Sequence, residues 1–155
     1  MIQIRLAQFS DAPELKKLND LWENSNTVEL IEKSIEENNR EIVCVAAEIN
    51  GNINKLVGFC CGQIMKSMCY SDIYGEITEC FVTEKYRRQG IGKQLTELIE
   101  IEFNKRGVNH LHLLTGKDNL AAEGVSRSLG YVDISEIAYG SSSIVMYAKQ
   151  TVIRA

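Results

Sequence analysis

Apolar residues recur along this chain with two periods, and the changes of period mark its elements. Ile2, Ile4 and Leu6 alternate with Gln3 and Arg5, the period-two pattern of a half-buried strand over 2–9. The spacing then widens to three and four, so that Leu15, Leu18, Leu21 and Trp22 form one apolar helix face. Ser10 or Asp11 is placed to cap that helix, with Pro13, the only proline, in its first turn. Thr27 is placed to cap a second, strongly acidic helix whose buried stripe is Val28, Ile31 and Ile35. Residues 41–49 and 55–66 are rich in Val, Ile and Cys and predict two strands, with Asn50-Gly51 marking a hairpin connection. A further strand covers about 74–83. Ile91, Leu95, Leu98, Ile99 and Phe103 predict a helix over about 90–106 that Gly107 ends. His110–Thr115 predicts a short strand, and 119–129 a helix with Ala122, Val125 and Leu129 on one side. Strands near 131–138 and 144–149 close the chain around a turn at Gly140. The order β-α-α-β-β-β-α-β-α-β-β predicts an α/β fold, a central mixed sheet of about seven strands flanked by about four helices.

Length and composition change this picture little. The 155 residues, 45% hydrophobic and 25% charged, suit one domain over 1–155 with a single core. A net charge of −4 argues against nucleic acid as a partner, which calls for a broad basic surface. The five cysteines (Cys44, Cys60, Cys61, Cys69, Cys80) form no C-x-x-C pair. Neither a disulfide scaffold nor a metal site is therefore expected, and a reducing, cytoplasmic setting is. No apolar run reaches spanning length and no leader pattern follows Met1, so no membrane partner is expected.

Within this acidic chain one window reverses sign. Lys85, Arg87, Arg88 and Lys93 fall in and beside Tyr86-Arg87-Arg88-Gln89-Gly90-Ile91-Gly92-Lys93. The window follows the strand-like run Ile77, Cys80, Phe81, Val82 and opens a predicted helix. First-turn N–H groups have no partner inside a helix, and the helix dipole is positive there. Glycines let the backbone approach an anion, and consecutive amides can form a concavity around it. The window therefore predicts a phosphate-binding loop. It is not a dinucleotide fingerprint, because Leu95 stands where the third glycine is needed. It is not a P-loop either, because Arg87 replaces the first glycine and Gln94 the Ser or Thr. What fits is Arg-x-x-Gly-x-Gly, read as Arg87, Gly90 and Gly92.

That motif resembles the pyrophosphate signature of the GNAT superfamily of acyl-CoA-dependent N-acetyltransferases: Gln or Arg, two residues, Gly, one residue, then Gly or Ala. Glu79 to Arg87 resembles the family's fourth strand and its turn. Asn119, Ala122, Leu129, Gly130 and Tyr131 resemble its second signature, and Ile2–Ala7 with Asp11-Ala12 its first strand and helix. Nearly the whole chain is covered, although only 87–92 is specific as a motif. The resemblance implies acetyl-CoA as co-substrate, held at Arg87, Arg88, Gln89, Gly90, Ile91, Gly92 and Lys93. It implies a backbone N–H near Phe81 or Val82 that polarises the acetyl carbonyl, and a hydrogen bond from Asn119 to the pantetheine arm. Asn119 suits a helix N-cap equally well. The family fold also implies parallel fourth and fifth strands that splay, with pantetheine entering the gap like an added strand. Dimers are common in the family.

Acetyl transfer to an amine needs the amine neutral, the carbonyl oxygen stabilised and the thiolate released. A lysine-like amine has a pKa of about 10.4, so roughly one molecule in two thousand is neutral at pH 7. A positioned carboxylate that takes the proton contributes about 10²–10⁴-fold. Glu76 and Glu79 are the candidates. Three residues apart, they face opposite sides of an unbroken strand and share a face only across a bulge. By resemblance, Glu76 matches the base position of the family's histone acetyltransferases and Glu79 an acidic position of several aminoglycoside acetyltransferases. Glu79 is preferred and Glu76 kept beside it; a solvated strand residue is the plainer reading of either. For the leaving thiol the family often supplies a tyrosine where this chain has Ser126, which leaves Tyr131, Tyr139, Tyr147 or water. Cys80 has no visible activating partner, so core packing is expected of it. His110 and His112 alone make no metal site.

The expected function is transfer of acetyl from acetyl-CoA directly to a small-molecule primary amine. Asp20, Glu23, Glu29, Glu32, Glu36 and Glu37 lie where family members build the acceptor wall, and suit an aminoglycoside- or polyamine-like cation. A solvated helix face accounts for the same acidity, so protein amino groups stay open as acceptors. A non-catalytic acyl-CoA-binding module is the reading from a different class; it keeps the loop and lacks a base.

Overall fold

The alternation of Ile2–Leu6 folds as strand β1, and helical spacing resumes in α1, Ala12–Leu21. The computed structural model describes residues 1–24, 26–37, 40–50, 53–69, 73–134 and 144–150. A 3-10 turn at Phe9–Asp11 stops β1 short of residue 9. Asp11 occupies the N-cap position of α1 without capping it. Its carboxylate turns back instead, accepting from the Gln8 amide (2.7 Å) and from Arg5 on both oxygens (2.6 and 2.8 Å). Burial pushes this carboxyl up, but Arg5 and the Gln8 amide outweigh it and hold its pKa below the usual range. A depressed pKa gives stability that is present above the unfolded value, about 3.9, and lost as pH falls through the folded one. Asp11→Asn should therefore cost about 3 kcal/mol at pH 7. In urea unfolding, the difference from the parent protein should shrink steadily below about pH 4.

Thr27 caps α2 (Val28–Glu36) as expected, its Oγ accepting from the Leu30 amide at 3.3 Å. Ile31 is buried, whereas Leu21 on α1 is exposed and only Leu15 and Leu18 of its stripe are buried. Three long strands come next as a meander: β2 (Glu41–Asn50), β3 (Ile53–Lys66) and β4 (Ile73–Val82). The remaining elements are α3 (Ile91–Lys105), β5 (His110–Gly116), α4 (Leu120–Ser128), β6 (Val132–Asp133) and β7 (Ile144–Gln150). Gly107, left-handed at φ 75°, lies just past the end of α3 as expected. The strand expected over 131–138 is only two residues long among the described residues. Gly51 and the turn at Gly140 lie outside them. No helix among the described residues is long and apolar enough to cross a membrane.

All seven strands join one sheet in the order β1-β2-β3-β4-β5-β7-β6, antiparallel except for β4 and β5. On one face α1 and α2 bury Leu15, Leu18 and Ile31 against Val45, Ala47, Leu56 and Phe59. On the other, Leu95, Ile99 and Phe103 of α3 meet Cys44, Val57, Cys60, Ile77 and Leu111. Helix α3 lies so close that a Cβ on Gly62 or Gly75 would come within 2.7 Å of Phe103.

Strand β4 is irregular on both of its edges. Its pairing with β3 steps from Cys61↔Glu79 to Gly62↔Ile77, so Thr78 is an extra residue. Its pairing with β5 ends at Ile77↔Leu113. Beyond that point the two strands part, the splay that the family resemblance implies.

Candidate active site

The loop from β4 into α3 is held from both ends. Tyr86 donates its hydroxyl to Glu48 at 2.6 Å, and Arg87 Nε donates to the Val82 carbonyl at 2.9 Å. Between them the backbone alternates in hand: Arg88 has φ 59° and Gly90 φ 77°. Such alternation turns successive amides toward one hollow. The Arg87 amide bonds to the Glu84 carbonyl and the Gln94 amide to Gly90. The amides of residues 88–93 make no hydrogen bond among the described residues. Six adjacent donors at a helix N-terminus, with Arg88 and Lys93 beside them, form a cradle suited to an anion such as a diphosphate.

Strand β4 supplies the next part. The Thr83 amide bonds to the Val57 carbonyl at 2.9 Å, which fixes the hydrogen-bonding phase with β3. Pairs two residues along, Phe81 with Phe59 and Glu79 with Cys61, then exchange bonds. The amides of Cys80 and Val82 consequently point the other way, into the gap left by β5. Of the two candidates for polarising a carbonyl there, Val82 is available and Phe81 is committed to the sheet. The Phe81 ring packs instead on Trp22 and Phe59, with centroids 5.9 Å apart in each pair.

The bulge decides where the carboxylates go. Antiparallel partners share a face, and Glu79 pairs with Cys61 while Glu76 pairs with Gln63 two residues along β3. Thr78, the extra residue, restores the parity, so both glutamates face the α1–α2 side. Glu79 lines a pocket there, about 240 Å³ in volume, walled by Trp22, Phe59, Cys61, Leu15, Ile31 and Glu41 among others, and Glu76 is not part of that lining. Thr78 Oγ donates to Glu79. Glu76 instead pairs in register with His112 of β5. The His112 ring lies 4.7 Å from that of Tyr74, and its buried Nδ1 has no partner among the described residues. Burial holds the His112 pKa below its ordinary value, with Glu76 opposing and His110 adding to the drop.

Other sequence candidates fall elsewhere. Asn119 is exposed and caps α4, its Oδ1 accepting from the Ala122 amide at 3.1 Å, and its NH₂ makes no hydrogen bond among the described residues. Ser126 is fully buried and donates to the Ala122 carbonyl of its own helix at 2.8 Å. Tyr131 is buried, and burial beside Glu100 drives its pKa far up. Tyr147 is buried and shifted up as well; Tyr139 lies outside the described residues. Cys80 is exposed, contrary to the expectation of core packing. Hydrogen bonding with Cys60 draws its thiol pKa down, against burial of the sulfur, and Thr96 adds to the shift. Sequence reasoning missed Glu41 and the aromatic wall, because their meeting depends on strand register and not on local spacing.

No curated protein matches the chain in sequence. Among solved structures, a ribosomal-protein-alanine N-acetyltransferase from Brucella melitensis is 23% identical with a TM-score of 0.76, over 96% of this chain and 99% of that one. A PaiA N-acetyltransferase from Thermoplasma acidophilum in complex with coenzyme A is 16% identical with a TM-score of 0.75, over 97% and 99%. An aminoglycoside acetyltransferase, meta-AAC0020, from an uncultured soil metagenomic sample in complex with sisomicin is 21% identical with a TM-score of 0.67, over 83% and 87%. These likenesses show the fold. Residues 4–131 match the sequence model of the acetyltransferase (GNAT) family, so the chain belongs to that family.

Proposed function

We propose that this protein transfers an acetyl group from acetyl-CoA directly to the primary amine of a small cationic acceptor. The observation that carries the proposal is the bulge at Thr78. It lets one strand present free amides to the cofactor gap and a carboxylate to a pocket on the α1–α2 face. In this reading the amides of 88–93 hold the diphosphate, with Arg88 and Lys93 adding charge. Gln89 and Ile91 contribute their amides, and Arg87 ties the loop to β4. The free NH₂ of Asn119 bonds to the pantetheine arm. The Cys80 or Val82 amide takes the charge that grows on the carbonyl oxygen. Glu79, directly or through one water, accepts the amine proton as the nitrogen attacks. Ser126, Tyr131 and Tyr147 sit in the core, so none of these three serves as the acid, and in this reading the departing thiolate is protonated by solvent. Thiols of this class ionise near pH 8.5, so that omission costs little.

Protein amino groups are the second reading, supported by the likeness to the ribosomal-protein-alanine enzyme. Reduced cysteines are consistent with a cytoplasmic setting. Release of free thiol from acetyl-CoA, measured across spermidine, an aminoglycoside and peptides with free amino termini, tests both. Turnover on the small amines supports the proposal, and turnover confined to peptides replaces the acceptor. Tight CoA binding with no turnover on any of them would make this a binding module.

A further inference from the structure

Glu41 opens β2, and acetyl transfer as proposed makes no use of it. Its carboxylate, the Cys61 thiol and the Glu79 carboxylate each offer an atom within 4.8 Å of the other two. The three residues lie on neighbouring strands and line one pocket. Glu41 pairs with Gln63 and Glu79 with Cys61, so the two acids meet diagonally across β3. Neither forms an ion pair with Lys, Arg or His among the described residues. Cys61 is only 9% exposed, and its thiol has no hydrogen-bond partner among the described residues. Burial, reinforced by Glu41 and Glu79, keeps that thiol protonated. The site therefore gathers two carboxyl groups around a protonated thiol. Trp22 and Phe59, edge to face at 5.9 Å, form its aromatic wall, and ring faces attract cations.

Two carboxylates this close repel each other unless a cation sits between them. An ammonium makes charge-assisted bonds to oxygen at about 2.7–2.9 Å. A nitrogen slightly off the line joining two oxygens no more than 4.8 Å apart reaches both at that distance. The aromatic wall then covers the alkyl carbons next to the nitrogen. We propose that Glu41 and Glu79 together clamp the primary ammonium of an alkylamine, and that Glu41 is thereby a specificity-determining residue for cationic acceptors. That the guest is an acceptor rests on the transferase reading; the clamp itself is a statement about binding. Glu41 holds the ammonium on entry, and Glu79 takes its proton when transfer begins.

Trp22 is the only tryptophan, so its fluorescence reports occupancy of this pocket without any turnover. The full chain is titrated with butylamine, 1,4-diaminobutane and butanol. The amines should give saturable changes and butanol none. Glu41→Gln should weaken amine binding by about 10–100-fold, the loss of one charge-assisted bond. Glu41→Asp should recover part of that, and Glu123→Gln, on α4 and outside the pocket lining, should leave amine affinity unchanged. Melting temperature and CoA affinity should stay unchanged in Glu41→Gln. Unaltered amine affinity in Glu41→Gln would overturn the clamp, as would the lack of any saturable response in the parent protein. Saturation by one equivalent of Zn²⁺ that Cys61→Ser abolishes would also overturn it, assigning the cluster to a metal. The two readings fail separately: amine binding without thiol release leaves the clamp and removes the transferase, and thiol release unaffected by Glu41→Gln does the reverse.

Discussion

Gly92→Glu is expected to abolish acetyl-CoA binding while leaving the fold as stable as before, or slightly more so. Gly92 lies in the first turn of α3, and a Cβ built on it meets only the Cys80 sulfur, at 3.9 Å. A side chain therefore fits there without displacing backbone. A carboxylate in the first turn also gains about 0.3–1 kcal/mol from the helix dipole, and losing a helical glycine adds up to about 1 kcal/mol. The same charge would sit in the hollow formed by the amides of 88–93. Against a diphosphate about 4 Å away it costs on the order of 4 kcal/mol at an effective dielectric constant of 20, hence about 10²–10³-fold in affinity. Calorimetric titration with CoA and thermal melts on the same samples separate the two effects. CoA should raise the melting temperature of the parent protein and not that of the variant. If Gly92→Glu bound CoA within a few-fold of the parent, the diphosphate would lie elsewhere and this loop would lose its role.

What the sequence made legible was what it encodes locally. The Thr27 cap, the α3 stripe and the left-handed Gly107 depend on residues a few positions apart, and the structure has them as expected. The phosphate-type loop is proposed from the same kind of local signal, since all its candidate donors lie within six consecutive residues. The acceptor pocket is different. It draws on residues from Leu15 to Glu79, brought together by α1, α2, β2, β3 and β4. Spacing alone cannot show that Glu41 meets Glu79, because a one-residue slip in either strand pairing would separate them. Thr78 is such a slip, and nothing in Ile77-Thr78-Glu79 announces it. Trp22 shows the same limit at a helix end: helical spacing assigned it to the α1 stripe, but as the C-cap it swings onto Phe59 and Phe81. Asp11 likewise looked like a cap until Arg5, six residues earlier, claimed its carboxylate.

Glu79→Gln should lower kcat by about 10²–10⁴-fold, with little change in the KM for acetyl-CoA. The amide keeps the size of the side chain and can still bond to Thr78, so the fold should tolerate it. What it cannot do is accept a proton. The loss should therefore depend on pH in a particular direction. Near pH 7 almost all of an alkylamine is protonated and needs the carboxylate. As pH rises toward the amine's own pKa, about 10.4, the neutral form is supplied by solution and the variant should approach the parent rate. A role confined to structure would lower activity equally at every pH. Glu76→Gln is expected to cost less than about tenfold, because Glu76 pairs in register with His112 and lines no described pocket. The comparison is decisive because the bulge puts both acids on one face, so orientation alone does not choose between them. A flat pH profile for Glu79→Gln, with the steep one appearing in Glu76→Gln, would move the base toward β5 and make His112 its partner.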